Sequence, residues 1–363
     1  MRPGHRPRSS TVVDTEPLTF GRPGWLADAD IEQGGRRPRI VALGGGTGLP
    51  TVLRGLKRAY FAVTSPPESD DDLLTAIVTV ADDGGSSGRL RRQYLMPPPG
   101  DIRNCLLALA DSDPQISAIF DFRFRGNSDV GGHNLGNLIL TALGEIERDF
   151  HVAVQRGASL LGARGRVLPA TLEPITLAAE FDDGSTAQGE SSIADAQKSI
   201  RRLTLHPGDA VAAPAAVRAI ESADAVVIAP GSLYTSLIAV LLVKDITEAL
   251  ARARVPVILI MNLMTEPGET DGYTAVDHVL AIQRHVPNIR LRDIVFHAHQ
   301  LPMDVVRDYA SRGAFPVRTD RELLNALGYR TVERDLVSAG AKVRHDPDKL
   351  AAAIIDCASE TLR

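Results

Sequence analysis

Cysteine, lysine and aromatic side chains are all scarce in this sequence. The two cysteines, Cys105 and Cys357, stand far apart. Neither belongs to a C-x-x-C pair or a metal-ligand spacing, so a disulfide framework and a zinc site are excluded and reduced thiols are expected. The only lysines are Lys57, Lys198, Lys244, Lys342 and Lys349. Positive charge is therefore carried almost wholly by arginine, whose planar fork suits bidentate phosphate contacts. No run approaches the roughly 18 apolar residues that a bilayer-spanning helix needs. The first residues show no apolar core of roughly 7–15 residues of the signal-peptide kind. The cytoplasm is the expected compartment, with no membrane span. A formal net charge of -5 excludes a generic nucleic-acid binder, which would carry a basic balance.

What is present is ordinary globular material: 363 residues, 44% hydrophobic and 23% charged. A chain of this length can bury a sizeable core without staples. Residues 1–37 are rich in Pro, Gly, Arg and Asp, lack any period and read as a disordered tail, with Trp25 as its one bulky side chain. From residue 38 onward, apolar strands alternate with helical periods. "IVAL" (Ile40–Leu43) precedes a glycine turn and a helix with Leu49, Val52, Leu53 and Leu56 on one face. A second strand runs from Leu74 to Val80. Helices open at Gly100-Asp101 and near His133, and a long one covers "LYTSLIAVLLVKDITEALARA". Further strands are "ADAVVIA", "VPVILIM" and "LRDIVFHAH". This order predicts an α/β fold, a Rossmann-like three-layer arrangement around a parallel sheet. Between about 164 and 206 the texture changes to short alternating strands with a turn at Asp182-Asp183-Gly184, read as a small β-rich insertion.

The chemistry gathers in the strand-to-helix loops. "GGGTG" (Gly44, Gly45, Gly46, Thr47, Gly48) joins a buried strand to a helix start, where backbone amides and the helix dipole favour an anion. It is not the dinucleotide fingerprint, because Leu49 stands where the third glycine belongs, which disfavours an NAD-linked oxidoreductase. No Gly-Lys-Ser/Thr follows, so it is not a Walker A loop either. "ADDGGSSGRLRR" leaves the second strand. Asp82 and Asp83 alternate faces if the strand continues, so one suits a Mg²⁺-bound water or a ribose hydroxyl and the other a cap on the glycine turn. Gly84, Gly85, Ser86, Ser87 and Arg89 offer amides, hydroxyls and a guanidinium to phosphate. In "PPPGDIRN", Asp101 is placed to cap its own helix, and Arg103 and Asn104 fall in the first turn. "GGHNLGN" supplies His133, Asn134 and Asn137, whose paired donors and acceptors suit a base or sugar. "APGSLYTS" adds Gly231 and Ser232, and "NLMTEPGETDGYT" adds Asn262 and Thr265. This density of polar loops points to a nucleotide-like ligand in the crevice of an open α/β sheet. His297 and His299 alternate on one strand face but have no third ligand nearby, so satisfied histidines are expected. No serine–histidine–acid triad or H-E-x-x-H helix is visible.

"GGGTGL", "DDGGSSGRLR", "PPGDIRN", "HNLGN", "APGSLYTS" and "NLMTEPGETDGYT" occur together and in order. In this the chain resembles the YvcK-type gluconeogenesis-factor family of the CofD-like superfamily, over residues 38 to about 362. The resemblance implies a cytoplasmic bacterial protein that binds uridine-diphosphate sugars such as UDP-N-acetylglucosamine and is linked to central carbon use, cell-wall synthesis and cell shape. It implies no cofactor for binding, a homo-oligomer, and an effector enzyme or a kinase as partner. It also implies nucleotide-sugar contacts for Tyr309, as a stacking ring, and Arg344, as a phosphate clamp. The enzymatic branch, 2-phospho-L-lactate transferase, uses Mg²⁺, and Asp82 and Asp83 would be its metal ligands here. With 4% aromatic residues, the chain offers no evident aromatic wall for a deazaflavin acceptor.

Overall fold

Continuous apolar runs in this chain become strands covered on both faces. Ile40–Gly44 (β1) and Leu74–Val78 (β2) are buried at every residue, as a parallel sheet between helices requires. The computed structural model describes residues 37–61, 71–340 and 342–360; the expected tail and Trp25 lie outside them. β1 leads to α1 (Gly48–Tyr60), which turns Leu49, Val52, Leu53 and Leu56 inward as the sequence predicts. β2 is followed by α2 (Gly85–Tyr94), α3 (Gly100–Leu109), α4 (Pro114–Asp121), α5 (Leu135–Glu147) and α6 (Phe150–Leu160), then by β3 (Arg166–Pro169). Next come β4 (Thr176–Phe181), β5 (Thr186–Gln188), α7 (Glu190–Ala196) and β6 (Ile200–His206). The second half holds α8 (Pro214–Ser222), β7 (Ala225–Ile228), a π-helical stretch Leu233–Ile238, α9 (Ala239–Leu241), α10 (Lys244–Arg252), β8 (Val257–Ile260) and α11 (Ala275–His285). It closes with β9 (Leu291–His297), α12 (Met303–Ala310), α13 (Arg321–Ala326), β10 (Arg330–Arg334) and α14 (Pro347–Ser359).

Seven strands form one parallel sheet in the order β10-β9-β8-β7-β1-β2-β3. The chain winds outward from β1 through β2 to β3, then returns to β7 on the other side of β1 and winds outward again. The reversal between β1 and β7 is the topological switch point of a doubly wound fold, where the loops at the carboxyl ends diverge and leave a crevice.

Three sequence expectations need correction. Arg166–Pro169 is not part of the insertion, because it pairs with β2 as the edge strand of the main sheet. The insertion begins at Thr176 and forms an antiparallel sheet, β5-β4-β6, with the Asp182–Gly184 turn where expected. β4 alternates buried and half-buried residues, so Leu177, Ala179 and Phe181 pack inward. "GGSSGRLRR" is a helix start rather than an extended loop, with Gly85–Tyr94 helical. The long helix after β7 is broken into a π-helical opening, a short α9 and α10. Its opening is wide because the Glu269 carboxylate takes the amides of Tyr234 and Thr235 at 2.8 and 3.1 Å, while the Leu237 amide donates back to Ser232. Such π insertions concentrate at functional sites.

Candidate functional site

The β1–α1 turn is pressed against the turn after β7. A Cβ at Gly48 would lie 1.7 Å from the Pro230 carbonyl oxygen, so only glycine lets the two turns meet across the switch point. The β7 turn is itself fixed. Asn262, one residue beyond the Met261 that follows β8, accepts from the Gly231 amide at 2.9 Å and donates to the Gly231 carbonyl at 2.7 Å. Gly231 and Asn262 are thus brought together, and Ser232 starts the π-helical stretch behind them.

Two further helix starts reach the same place. A Cβ at Gly100, the first residue of α3, would lie 2.3 Å from Ser87 Oγ and 3.4 Å from Asp82 Oδ2. Asp101, expected to cap α3, instead reaches back 55 positions and accepts from the Gly46 amide at 2.7 Å. α1, α2 and α3 all begin without a side-chain cap, at Thr47, Gly84 and Pro99. α4, α5 and α6 are capped by Asp113, Asn134 and Asp149. Uncapped first-turn amides present donors and partial positive charge, and the Asp101–Gly46 bond brings the α1 and α3 sets together at the glycine turn.

Carboxylates face this region. Asp82 Oδ1 accepts from the Gly84 amide at 2.8 Å. Asp83 turns away to the insertion, taking the Ser191 amide and hydroxyl at 2.9 and 2.8 Å. Burial, reinforced by Asp82, raises Asp101 to about 6. Burial, reinforced by Asp82, Asp101 and Asp83, raises Glu190 at the start of α7 to about 8. Among the described residues no three His, Cys, Asp or Glu side chains are grouped to hold a metal ion, and Asp82 and Asp83 diverge rather than pair. These residues do not form an all-protein metal site.

Several predicted ligand residues are engaged with one another. Buried Ser86 lies 3.0 Å from His133 Nδ1 and accepts from the Asn134 amide at 3.3 Å and Asn137 Nδ2 at 3.2 Å. Arg103 donates to Asn137 Oδ1 at 3.0 Å and to Asn104 Oδ1 at 2.6 Å. Arg89 donates to the Gly131 carbonyl at 2.8 Å. Burial lowers the His133 pKa, with Arg89 adding to the effect. This network welds the starts of α2, α3 and α5 into one wall. Thr265 is similarly occupied, exchanging bonds with Phe315. His297 accepts from the Leu336 amide at 3.1 Å and stacks edge-on against His299.

Of the two residues implied by resemblance, Tyr309 bonds to the residue before Arg344. The Tyr309 hydroxyl accepts from the Val343 amide at 3.1 Å, one residue before Arg344, and the Arg312 guanidinium lies 4.8 Å from the Tyr309 ring centroid.

Two cavities flank the switch point. One, of about 470 Å³, is lined by Gly46, Thr47, Arg54, Asn104, Ser117 and Asp121 among others. The other, of about 590 Å³, is lined by Met261 and Asn262 after β8, Phe296 and His297 of β9, and Arg318, among others. Sequence reasoning missed Arg54, Asp101's role under the loop, Glu190 and Glu269. Arg54 was within reach, since it lies seven residues after Thr47 on the same helical face. Glu190 carried no signal, because only the folding of the insertion brings it to the carboxylates.

Fold and site define a doubly wound α/β protein with a polar cleft at its topological switch point. The family described as 2-phospho-L-lactate transferase CofD matches residues 40–337. The chain is similar to the gluconeogenesis factor of Bacillus subtilis, 42% identical over 327 residues, covering 90% of this chain and all of that protein. It is also similar to the gluconeogenesis factor of Halalkalibacterium halodurans, 42% identical over 322 residues, covering 88% of this chain and 97% of the other. A crystal structure of a UPF0052 family member from Bacillus halodurans superposes with a TM-score of 0.81 at 42% identity, over 88% of this chain and all of that one. The chain belongs to the CofD family, in its gluconeogenesis-factor branch.

Proposed function

We propose that this protein is a nucleotide-sugar sensor. It binds a uridine-diphosphate sugar of the UDP-N-acetylglucosamine kind in the switch-point cleft, without turnover and without a required cofactor. Ligand binding shifts its shape or its homo-oligomeric state, and with it the contact to an effector enzyme. Through that contact it links gluconeogenic growth to cell-wall synthesis and cell shape, and a kinase is a further candidate partner. The observation that carries the reading is the meeting of the uncapped starts of α1 and α3 at the glycine turn, where Asp101 of α3 holds the Gly46 amide. Amide donors arranged in this way suit phosphate oxygens. The names of the relatives support the metabolic link.

A transferase reading has one specific observation behind it. Burial, with the neighbouring carboxylates, pushes Asp101 up to about 6 and Glu190 up to about 8, toward the range in which a carboxyl exchanges protons near neutral pH. Mg²⁺ in that reading would need phosphate oxygens of the ligand to complete its shell, with Asp82 as the protein's contribution.

Calorimetry with UDP-N-acetylglucosamine, GDP and NAD, each with and without Mg²⁺ and followed by chromatography of the recovered nucleotide, separates the two. Binding of the UDP-sugar with the nucleotide recovered intact is the expected result. Tight GDP binding, with product formed from a deazaflavin precursor, overturns it in favour of the transferase.

A further inference from the structure

α5 is packed on one side and apolar on the other. Its packed side buries Gly136, Asn137, Leu140 and Thr141. The other side carries Leu135, Leu138, Ile139, Ala142, Leu143 and Ile146, spaced three and four residues apart and so aligned in one stripe. All six are half-buried or exposed, and Ile146 is 73% exposed. This reverses the usual pattern of a surface helix, whose outer face is polar. α4 packs beside α5 and exposes Ile119, and the exposed ring of Phe122 follows, edge-on to Phe124 at 5.1 Å. Single exposed apolar side chains are ordinary, but a stripe with such neighbours marks an interaction surface.

The charges around the stripe indicate what covers it. α5 carries no lysine or arginine, and its only charged residues, Glu145 and Glu147, lie in the last turn. Glu147 pairs with Arg156 of α6 at 3.1 Å, whereas exposed Glu145 has no ion pair among the described residues. At the other end, the chain before α5 folds back on itself. The Phe124 amide donates to the His133 carbonyl, and the Leu135 amide donates to the Phe122 carbonyl. This turn brings Arg123 and Arg125 to the start of α5, and exposed Arg125 has no acidic partner among the described residues. An apolar stripe with acid at one end and base at the other is complementary to itself turned end for end. That is the pattern of a two-fold contact between identical surfaces.

We propose that the outer face of α5 is a pairing surface for a second copy of this chain. Two α5 helices lie antiparallel about a two-fold axis, and Glu145 of each copy meets the partner's Arg125. The surface is joined to the cleft. α5 starts at Asn134 in the Ser86 hub, and Asn137 in its first turn connects through Arg103 to Asn104, which lines the cavity of about 470 Å³. This gives a surface to the oligomeric response proposed above and rests on that reading for its link to a ligand, while pairing itself needs none.

The test is sedimentation equilibrium of the full chain, with and without UDP-N-acetylglucosamine, on the natural protein, I146E, E145R, R125E and the double variant E145R/R125E. The natural protein is expected to dimerise. I146E places a carboxylate from each copy in the apolar contact and is expected to raise the dimer dissociation constant about 100-fold. Its far-UV circular dichroism should stay that of the natural protein, because Ile146 is exposed in the single copy. E145R and R125E each set like charges across the contact and weaken pairing about 10-fold, and the double variant restores it. If I146E does not fold, the charge variants and their rescue decide. A monomeric natural protein overturns pairing and leaves the stripe to a different protein. A dimer indifferent to I146E and to the charge changes overturns this surface, and weakening without rescue overturns the antiparallel arrangement. A dissociation constant equal with and without the UDP-sugar keeps the surface and overturns its link to the ligand.

Discussion

The carboxylate of Asp101, near the start of α3, holds the amide of Gly46 in the glycine turn at 2.7 Å. This bond ties the first helix-start loop of the sheet to the helix that follows the second. Its cost is electrostatic: burial, with Asp82 adding repulsion, keeps the carboxyl at about 6 against a usual 3.8, even with the Gly46 bond pulling down. The folded protein therefore binds this proton more tightly than the unfolded chain. The associated stability is complete below the unfolded pKa and is lost as pH rises through about 6. Asp101→Asn keeps an acceptor for Gly46 but cannot ionise. Urea midpoints measured from pH 4 to pH 7 should fall less steeply in this variant, by on the order of 2–3 kcal/mol over the range. Parallel curves for the two proteins would show that Asp101 does not carry the dependence. A slope continuing toward pH 8 belongs to Glu190, held at about 8 by burial and the neighbouring carboxylates.

Ser86→Ala removes the oxygen that His133, Asn134 and Asn137 share. Stranding buried polar groups costs about 1–3 kcal/mol, and the variant should unfold at correspondingly lower denaturant. Because the hub joins α2 to α5 rather than facing solvent, the loss should appear whether or not ligand is present. A midpoint unchanged in the ligand-free protein would contradict the weld described here.

Gly48→Ala brings a methyl group to 1.7 Å from the Pro230 carbonyl oxygen. Neither backbone can yield without separating the two turns at the switch point. Overpacking of this kind costs about 1–3 kcal/mol or more, and loss of ligand binding should accompany it. Full binding with an unaltered melting temperature would refute the close approach.

Asn262→Ala deletes both bonds to Gly231, at 2.9 and 2.7 Å. The β7 turn then loses its brace, and the cleft loses the Asn262 side chain that lines it. Stability should drop by about 1–2 kcal/mol, and affinity for UDP-N-acetylglucosamine should drop with it, read by calorimetry. Asn262→Asp, which keeps one acceptor and loses the donor, should fall between. An affinity equal to that of the natural protein in both variants would detach this brace from the cleft.

Much of the architecture was legible because its signals are local. The fully apolar run Ile40–Leu43 could only be a strand covered on both faces, and the 3.6-residue recurrence of Leu49, Val52, Leu53 and Leu56 could only be a helix lying on it. The helix starts at Gly100 and Leu135 fell where the glycine and asparagine signals put them. The errors have tertiary causes. Arg166–Pro169 reads like the strands that follow it, and only pairing with β2 assigns it to the main sheet. The helix after β7 carries an unbroken helical pattern, yet Glu269, more than thirty positions away, captures its first amides and widens the turn.

The sequence by itself determined the alternation of strand and helix, the glycine turns and the concentration of polar residues at strand ends, because periodicity and turn chemistry act over a few neighbouring residues. Tertiary structure alone decided what each polar group does. Whether Ser86 faces a ligand or His133, whether Asp83 pairs with Asp82 or reaches Ser191, and whether Asp101 caps its own helix or the Gly46 loop depends on partners 47, 108 and 55 positions away. No local pattern specifies such distant partners. They meet because the doubly wound sheet delivers its loops to one edge, where buried polar groups must satisfy one another.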